Sequence, residues 1–298
     1  MQQNPEIGLS IDIDGIRTNY HDMGEGHPVL MIHGSGPGVS GFVNWRLAMP
    51  ELARHCRVIA PDMLGFGYSD RAADGVYSAA RWVDQAVGLM DALGLEQTDI
   101  VGNSFGGALA LMLAIQHPGR VRRLVLMGAA GVEFELTPGL DAVWGYEPSM
   151  DNMRRIMDIF AFDSTRITED IVRSRYQASI QPGAQEAFSA MFPAPRQRWV
   201  HALASAEEAI QAIPESERST FRDLTDPPIV GAQLIATERQ GVGLLRDGGL
   251  ELGRAFGPFL VAWRQRIHIA DVDIGAGNAV DHRDVRVVDP ATVRRKLP

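Results

Sequence analysis

The 298-residue sequence holds a single cysteine, Cys56, so no internal disulfide can form and no cysteine cluster can hold zinc or an iron-sulfur centre. No apolar run approaches the ~18 residues of a membrane helix, and Met1-Gln2-Gln3-Asn4-Pro5-Glu6 lacks the basic and apolar regions of a secretory signal. A cytoplasmic protein with no membrane partner is expected. Basic charge is scarce: 28 Lys and Arg stand against 37 Asp and Glu, and a net charge of -9 opposes binding to nucleic acid or anionic lipid. The expected partner is a small molecule. Lysine is nearly missing, with Lys296 alone against 27 arginines, a skew that a GC-rich coding sequence produces more readily than selection on protein surfaces. What remains, 45% hydrophobic and 22% charged, is a globular composition that excludes disorder and collagen-like repeats. The length fits one large domain or two small ones.

The composition changes near Pro214. All 12 methionines and all five tyrosines precede it, whereas 11 arginines and several glycine pairs and triplets fall in the last 84 residues. No Gly/Ser-rich or Pro-rich linker and no 20- to 50-residue repeat accounts for the change.

Before that break the pattern is α/β. Gly8 to Asp14 and Ile16 to Asp22 alternate apolar with polar residues around Gly15, which predicts an antiparallel hairpin. Val29-Leu30-Met31-Ile32, Arg57-Val58-Ile59-Ala60, Asp99-Ile100-Val101 and Leu124-Val125-Leu126-Met127 are short apolar runs followed by glycine-bearing loops, as in strands buried on both faces of a parallel sheet. Helices are predicted over Trp45 to His55, Ala79 to Leu93 and Phe105 to His117, the last burying Leu109, Met112 and Leu113 on one face. Strand, helix, strand alternation implies a doubly wound sheet. From Pro138 to Ala204 the pattern is helical, with Asn152 to Ala161, Thr168 to Ile180 and Gln185 to Met191 the clearest helices. An insertion there would cover the carboxyl ends of the strands, where ligands bind in open parallel sheets.

Gly102-Asn103-Ser104-Phe105-Gly106-Gly107 follows a buried strand and opens a helix, the context that gives G-x-S-x-G its meaning. A tight strand-to-helix turn would hold Ser104 in a strained backbone conformation and project its hydroxyl outward. It would also place the Phe105 amide at a helix N-terminus, ready to stabilise an oxyanion. A helix-capping serine in a glycine turn is the structural alternative. His33-Gly34-Ser35-Gly36-Pro37-Gly38 follows another buried strand, and Ser35 can supply a second oxyanion donor. His33 is expected to brace this loop rather than act as a base, and Asp62 with Gly65 to form a turn. No G-x-x-x-x-G-K-[ST] phosphate-binding motif is present in that loop.

With these motifs in place, residues 8 to about 213 resemble the α/β-hydrolase fold, specifically the meta-cleavage-product hydrolases of aromatic catabolism. The resemblance rests on His33 to Gly38 with Asn44-Trp45, on Gly102 to Gly107, on Leu140-Asp141-Ala142-Val143-Trp144-Gly145-Tyr146, and on Met191-Phe192-Pro193-Ala194-Pro195-Arg196-Gln197-Arg198-Trp199. It implies a core over 1-137, a helical cap over 138-204 and an atypical C-terminal part over 205-298. It further implies carbon-carbon bond hydrolysis in a 2-hydroxy-6-oxo-2,4-dienoate from a monocyclic aromatic, such as 2-hydroxymuconic semialdehyde, with no cofactor and no metal. Carried over residue by residue, Ser104 is the nucleophile and the amides of Ser35 and Phe105 form the oxyanion hole. Asn44, Asn103 and Arg175 would orient the carboxylated dienoate, Arg175 through its planar fork. A generic serine esterase and a noncatalytic binding protein that keeps the pocket remain alternatives; haloalkane dehalogenation is disfavoured by a serine at the elbow. The sequence leaves the oligomeric state open, a homo-oligomer included.

The resemblance stops at the C-terminal part. A serine nucleophile needs a base and the base an orienting carboxylate. The family pattern supplies them from H-G-x-x-D and G-H-W motifs, and neither occurs after residue 214. Asp223 and Asp226 lie near the expected acid position, and His268 and His282 are the remaining histidines, none in a matching motif. Together with the compositional break, this predicts a frameshift or recombination in the coding DNA. Recovery of both motifs in an alternative reading frame would support that origin, and an intact single frame in closely related genes would sink it.

Overall fold

The computed structural model describes residues 4-161 and 164-204, and the backbone of 235-237. Two strands, β1 (Leu9–Ile13) and β2 (Ile16–Met23), form the expected hairpin, turning at Asp14 and Gly15 with φ of 50° and 81°. The remaining strands are β3 (Pro28–Ile32), β4 (Arg57–Pro61), β5 (Thr98–Asn103), β6 (Val121–Met127) and β7 (Ile235–Thr237). The sheet order is β1-β2-β4-β3-β5-β6-β7. β4, β3, β5 and β6 run parallel, the hairpin joins antiparallel through β2, and β7 pairs antiparallel with β6.

The period of two along β3 explains why its sequence reads as an unbroken apolar run. Val29 and Met31 pack on one face against Trp45, Met49 and Leu52, while Leu30 and Ile32 pack on the other with Trp82, Leu89 and Leu109. Both faces are covered, so no position is left for a polar residue. The first covering layer is α1 (Gly41–Trp45) and α2 (Met49–Leu52); the second includes α3 (Ala79–Ala92) and α4 (Phe105–Gln116). Of the single helix expected over Trp45 to His55, only the four-residue α2 lies inside those bounds, and α1 ends where that helix is expected to begin. Pro50 lies in the first turn of α2, a position its ring and missing N–H favour, so it marks a new start. Nor is α4 one-sided: every residue from Phe105 to Leu113 is buried, because the helix lies against β5, β6, α3 and α9 at once.

After β6 come α5 (Pro138–Trp144), α6 (Met150–Phe160), α7 (Glu169–Ser179), α8 (Ala184–Met191) and α9 (Gln197–Leu203). The side chains of Thr137, Ser149 and Thr168 accept from backbone N–H groups three residues on, capping α5, α6 and α7. The segment is held together by aromatic rings. Trp144 stacks on Phe192 with centroids 4.8 Å apart and an interplanar angle of 2°, and Phe188 and Trp199 meet Phe192 edge-on. Among the described residues no helix is long and apolar enough to cross a membrane.

Candidate active site

Ser104 sits between the end of β5 and the start of α4 at φ 52° and ψ -114°, and among the described non-glycine residues only Asp14 also has a positive φ. Neighbouring atoms hold it there. Its N–H donates to the Met127 carbonyl at 2.8 Å, and its carbonyl accepts from Gly107 at 2.9 Å and Ala130 at 3.1 Å. The glycines are sterically required. A Cβ at Gly102 would stand 2.6 Å from the Gly107 Cα, and one at Gly106 would stand 2.5 Å from the His33 carbonyl oxygen and closer still to that of Ile32. Strain at one residue is thus maintained by the close approach of β5, α4 and the end of β3.

The result is a partly exposed serine that caps nothing: its side chain makes no hydrogen bond to the first turn of α4. That removes the capping alternative. Phe105 begins the helix, where the first N–H groups have no intrahelical acceptor and the helix dipole favours negative charge.

The loop after β3 lies directly beside this corner, since a Cβ on Gly34 would be 3.6 Å from the Ser104 Cβ and 3.3 Å from the Asn103 side-chain nitrogen. Asn44 Oδ1 accepts from the Gly34 N–H at 3.1 Å and from Asn103 Nδ2 at 3.0 Å. Asn44 and Asn103 therefore tie the loop to the end of β5. His33 is fully buried. Its Nε2 accepts from the Met63 N–H at 3.0 Å, which leaves Nδ1 to donate to the Gly34 carbonyl at 2.7 Å. Burial pushes its pKa down to about 4, so the ring is neutral and braces the loop. Ser35 is also buried, and its Oγ accepts from Trp144 Nε1 at 3.0 Å. The structure thus brings Ser35, Asn44, Asn103, Ser104 and Phe105 together.

Arg175 is placed differently. It is buried on α7, where one guanidinium nitrogen donates to the Gly38 carbonyl and the other to Glu6 Oε1 at 3.0 Å; the second Glu6 oxygen accepts from Ser40 Oγ at 2.6 Å. The guanidinium expected to clasp a ligand carboxylate is divided between a backbone carbonyl and an internal carboxylate, and in this arrangement Arg175 fastens α7 to the loop after β3 and to the N-terminal segment.

Asp62 is buried as well and holds a turn, as expected. Its carboxylate accepts from the N–H groups of Gly41 and Tyr68 and from Asn19 Nδ2, and burial pushes its pKa up to about 7 against those three hydrogen bonds.

None of the six histidines among the described residues is hydrogen-bonded to Ser104. His33, at the start of the neighbouring loop, has both ring nitrogens engaged. His201 pairs with Glu133, and His117 caps the far end of α4. The other candidates for acid and base, Asp223, Asp226, His268 and His282, lie outside the described residues. Sequence reasoning missed the Glu6 and Trp144 contacts, which join positions 169 and 109 residues apart. No local pattern marks such pairs.

The alpha/beta hydrolase fold family matches residues 27–278 of the chain. A 2-hydroxymuconate semialdehyde hydrolase of Pseudomonas sp. (strain CF600) is 66% identical over 213 residues, 72% of this chain and 75% of that protein. A 2-hydroxy-6-oxo-2,4-heptadienoate hydrolase of Pseudomonas putida (strain F1) is 59% identical over 210 residues, 70% of this chain and 76% of that one. Among solved structures, a meta-cleavage product hydrolase from Pseudomonas fluorescens IP01 superposes with a TM-score of 0.69 at 58% identity, covering 71% of this chain and 78% of that one. The chain belongs to the meta-cleavage product hydrolases of the α/β-hydrolase fold.

Proposed function

We propose that the chain hydrolyses a carbon-carbon bond in 2-hydroxy-6-oxo-2,4-dienoates derived from monocyclic aromatics, with Ser104 as the nucleophile. The observation that carries this reading is the strained corner at Ser104. Among the described residues it leaves a hydroxyl uncommitted beside the Gly34-Ser35 loop and at the head of α4. In the ketone tautomer of the dienoate, C5 is a methylene and the C2 ketone, conjugated through the C3–C4 double bond, is the sink for the electrons of the C5–C6 bond. Attack of the Ser104 oxygen on the C6 carbonyl develops an oxyanion between the amides of Ser35 and Phe105. Cleavage of the C5–C6 bond releases 2-hydroxypenta-2,4-dienoate, and water then frees the C6 fragment as a carboxylic acid. Asn44 and Asn103 border the same space and suit the dienoate's polar end. The division into a core over 1-137 and a cap over 138-204 follows from the same reading.

Activation of Ser104 is what residues 205-298 must supply, and the motifs for it are absent from them. Slow turnover is the expectation. The test is to incubate the purified chain with 2-hydroxy-6-oxo-2,4-heptadienoate and with p-nitrophenyl acetate, following absorbance and identifying products by NMR. Release of acetate and the pentadienoate, faster than ester cleavage, supports the proposal. Ester cleavage alone marks a serine esterase. Dienoate binding without turnover marks the noncatalytic reading.

A further inference from the structure

Trp144 ends α5 and is 2% exposed, with one face stacked flat on Phe192. Its only polar group, the indole N–H, donates to Ser35 Oγ at 3.0 Å. The direction of this bond matters. An indole nitrogen can only donate, so the Ser35 hydroxyl is fixed as acceptor and its own proton is left to be given elsewhere. Among the described residues nothing accepts that proton. Ser35 follows Gly34, whose backbone lies against Ser104, so the Ser35 hydroxyl belongs to the loop that borders the nucleophile candidate.

We propose that Trp144 is a positioning residue. Its indole N–H orients the Ser35 hydroxyl toward the substrate oxygen, so that the loop after β3 has full donor strength only while α5 is seated on the core. The proposal rests on the reading of Ser104 and Ser35 given above. Trp144 acts through Ser35, and its own ring need not meet the substrate. The Trp144, Phe192, Phe188 and Trp199 stack then has a function beyond packing, because it sets the height of the indole nitrogen over the loop.

The test is a double-mutant cycle on the full chain. Trp144→Phe keeps a ring against Phe192 but loses the N–H, and Ser35→Ala removes the acceptor. Each is expected to lower kcat on the heptadienoate by about tenfold with KM within about twofold, the scale of one neutral hydrogen bond, and the double variant to fall no further. Multiplying effects, or an unchanged kcat in Trp144→Phe, would overturn the proposal. If the unsubstituted chain shows no turnover, the hydrolase reading is what has failed, and hydrogen exchange at the amides of residues 34-36 decides the positioning role independently. Equal acceleration in Trp144→Phe and Ser35→Ala supports it, and unchanged exchange in both overturns it. Ser35→Ala leaves the aromatic stack intact, so it gives the same exchange readout should Trp144→Phe not fold.

Discussion

Replacing Gly106 by alanine separates the steric argument for the elbow from ordinary helix propensity. Gly106 lies in the first turn of α4, where alanine is favoured over glycine by at most about 1 kcal/mol. Against that, the added methyl would stand 2.5 Å from the His33 carbonyl oxygen, nearer still to the Ile32 oxygen, and 2.7 Å from the Ile32 carbonyl carbon. These obstacles are backbone atoms at the end of a central strand and cannot rotate away, so the overpacking cost reaches the upper part of the usual range, about 3 kcal/mol. The net expectation is a loss of about 2 kcal/mol, or a Tm lower by roughly 5 °C at this chain length. Gly119→Ala is the control, since a Cβ there meets nothing within 4 Å and should change stability by less than about 0.5 kcal/mol. Relief of the clash also moves the loop that carries Gly34 and Ser35 away from Ser104, so kcat on the dienoate should drop by about 100-fold. Urea unfolding followed by circular dichroism measures the first effect. A Gly106→Ala protein as stable as Gly119→Ala would refute the close approach of α4 to β3 on which the site is built.

Other outcomes follow from the same contacts. The His33 imidazole, neutral when folded because burial lowers its pKa to about 4, binds a proton in the unfolded chain below about pH 6.5, so its contribution to stability falls by about 3 kcal/mol between pH 6.5 and 4. The Asp62 carboxyl, raised to about 7, works in the opposite sense; the difference between the unsubstituted chain and His33→Gln isolates the imidazole, and parallel pH profiles would contradict its buried neutral state. Glu6→Gln leaves the buried Arg175 without its counter-charge and should cost about 3 kcal/mol, with Glu6→Gln/Arg175→Gln recovering part of it; strictly additive losses in chemical denaturation would argue against the pair. Turnover of the heptadienoate should be at least about 1,000-fold below that of a relative carrying both late motifs. A comparable rate would mean that His268 or His282 serves as the base, which His268→Ala and His282→Ala would then reveal.

The parts of the fold legible in the sequence are those governed by local rules. Apolar runs mark β3 to β6 because both faces of each strand are covered, and Gly102, Gly106 and Gly107 mark the elbow because no other residue fits there. Where the sequence misleads, a nonlocal fact decides. Pro50 marks the start of a short helix within a stretch that periodicity reads as continuous, and α4 is apolar all round because α9 covers the side that a two-layer picture leaves to water. Arg175 illustrates the limit most clearly. Its residue type suits a substrate carboxylate, but its partner Glu6 belongs to a segment with no motif of its own. The hydrogen bond from Trp144 to Ser35 is invisible for the same reason, although both residues lie within motifs that the sequence brings forward.

The role of Ser104 is tested most directly by comparing heptadienoate consumption in the unsubstituted chain and in Ser104→Ala under identical conditions. Even where the overall rate is slow, removal of the nucleophile is expected to lower it by about tenfold or more while the folded state persists. Equal rates in the two proteins would contradict the assignment of the hydroxyl at this corner as the attacking group.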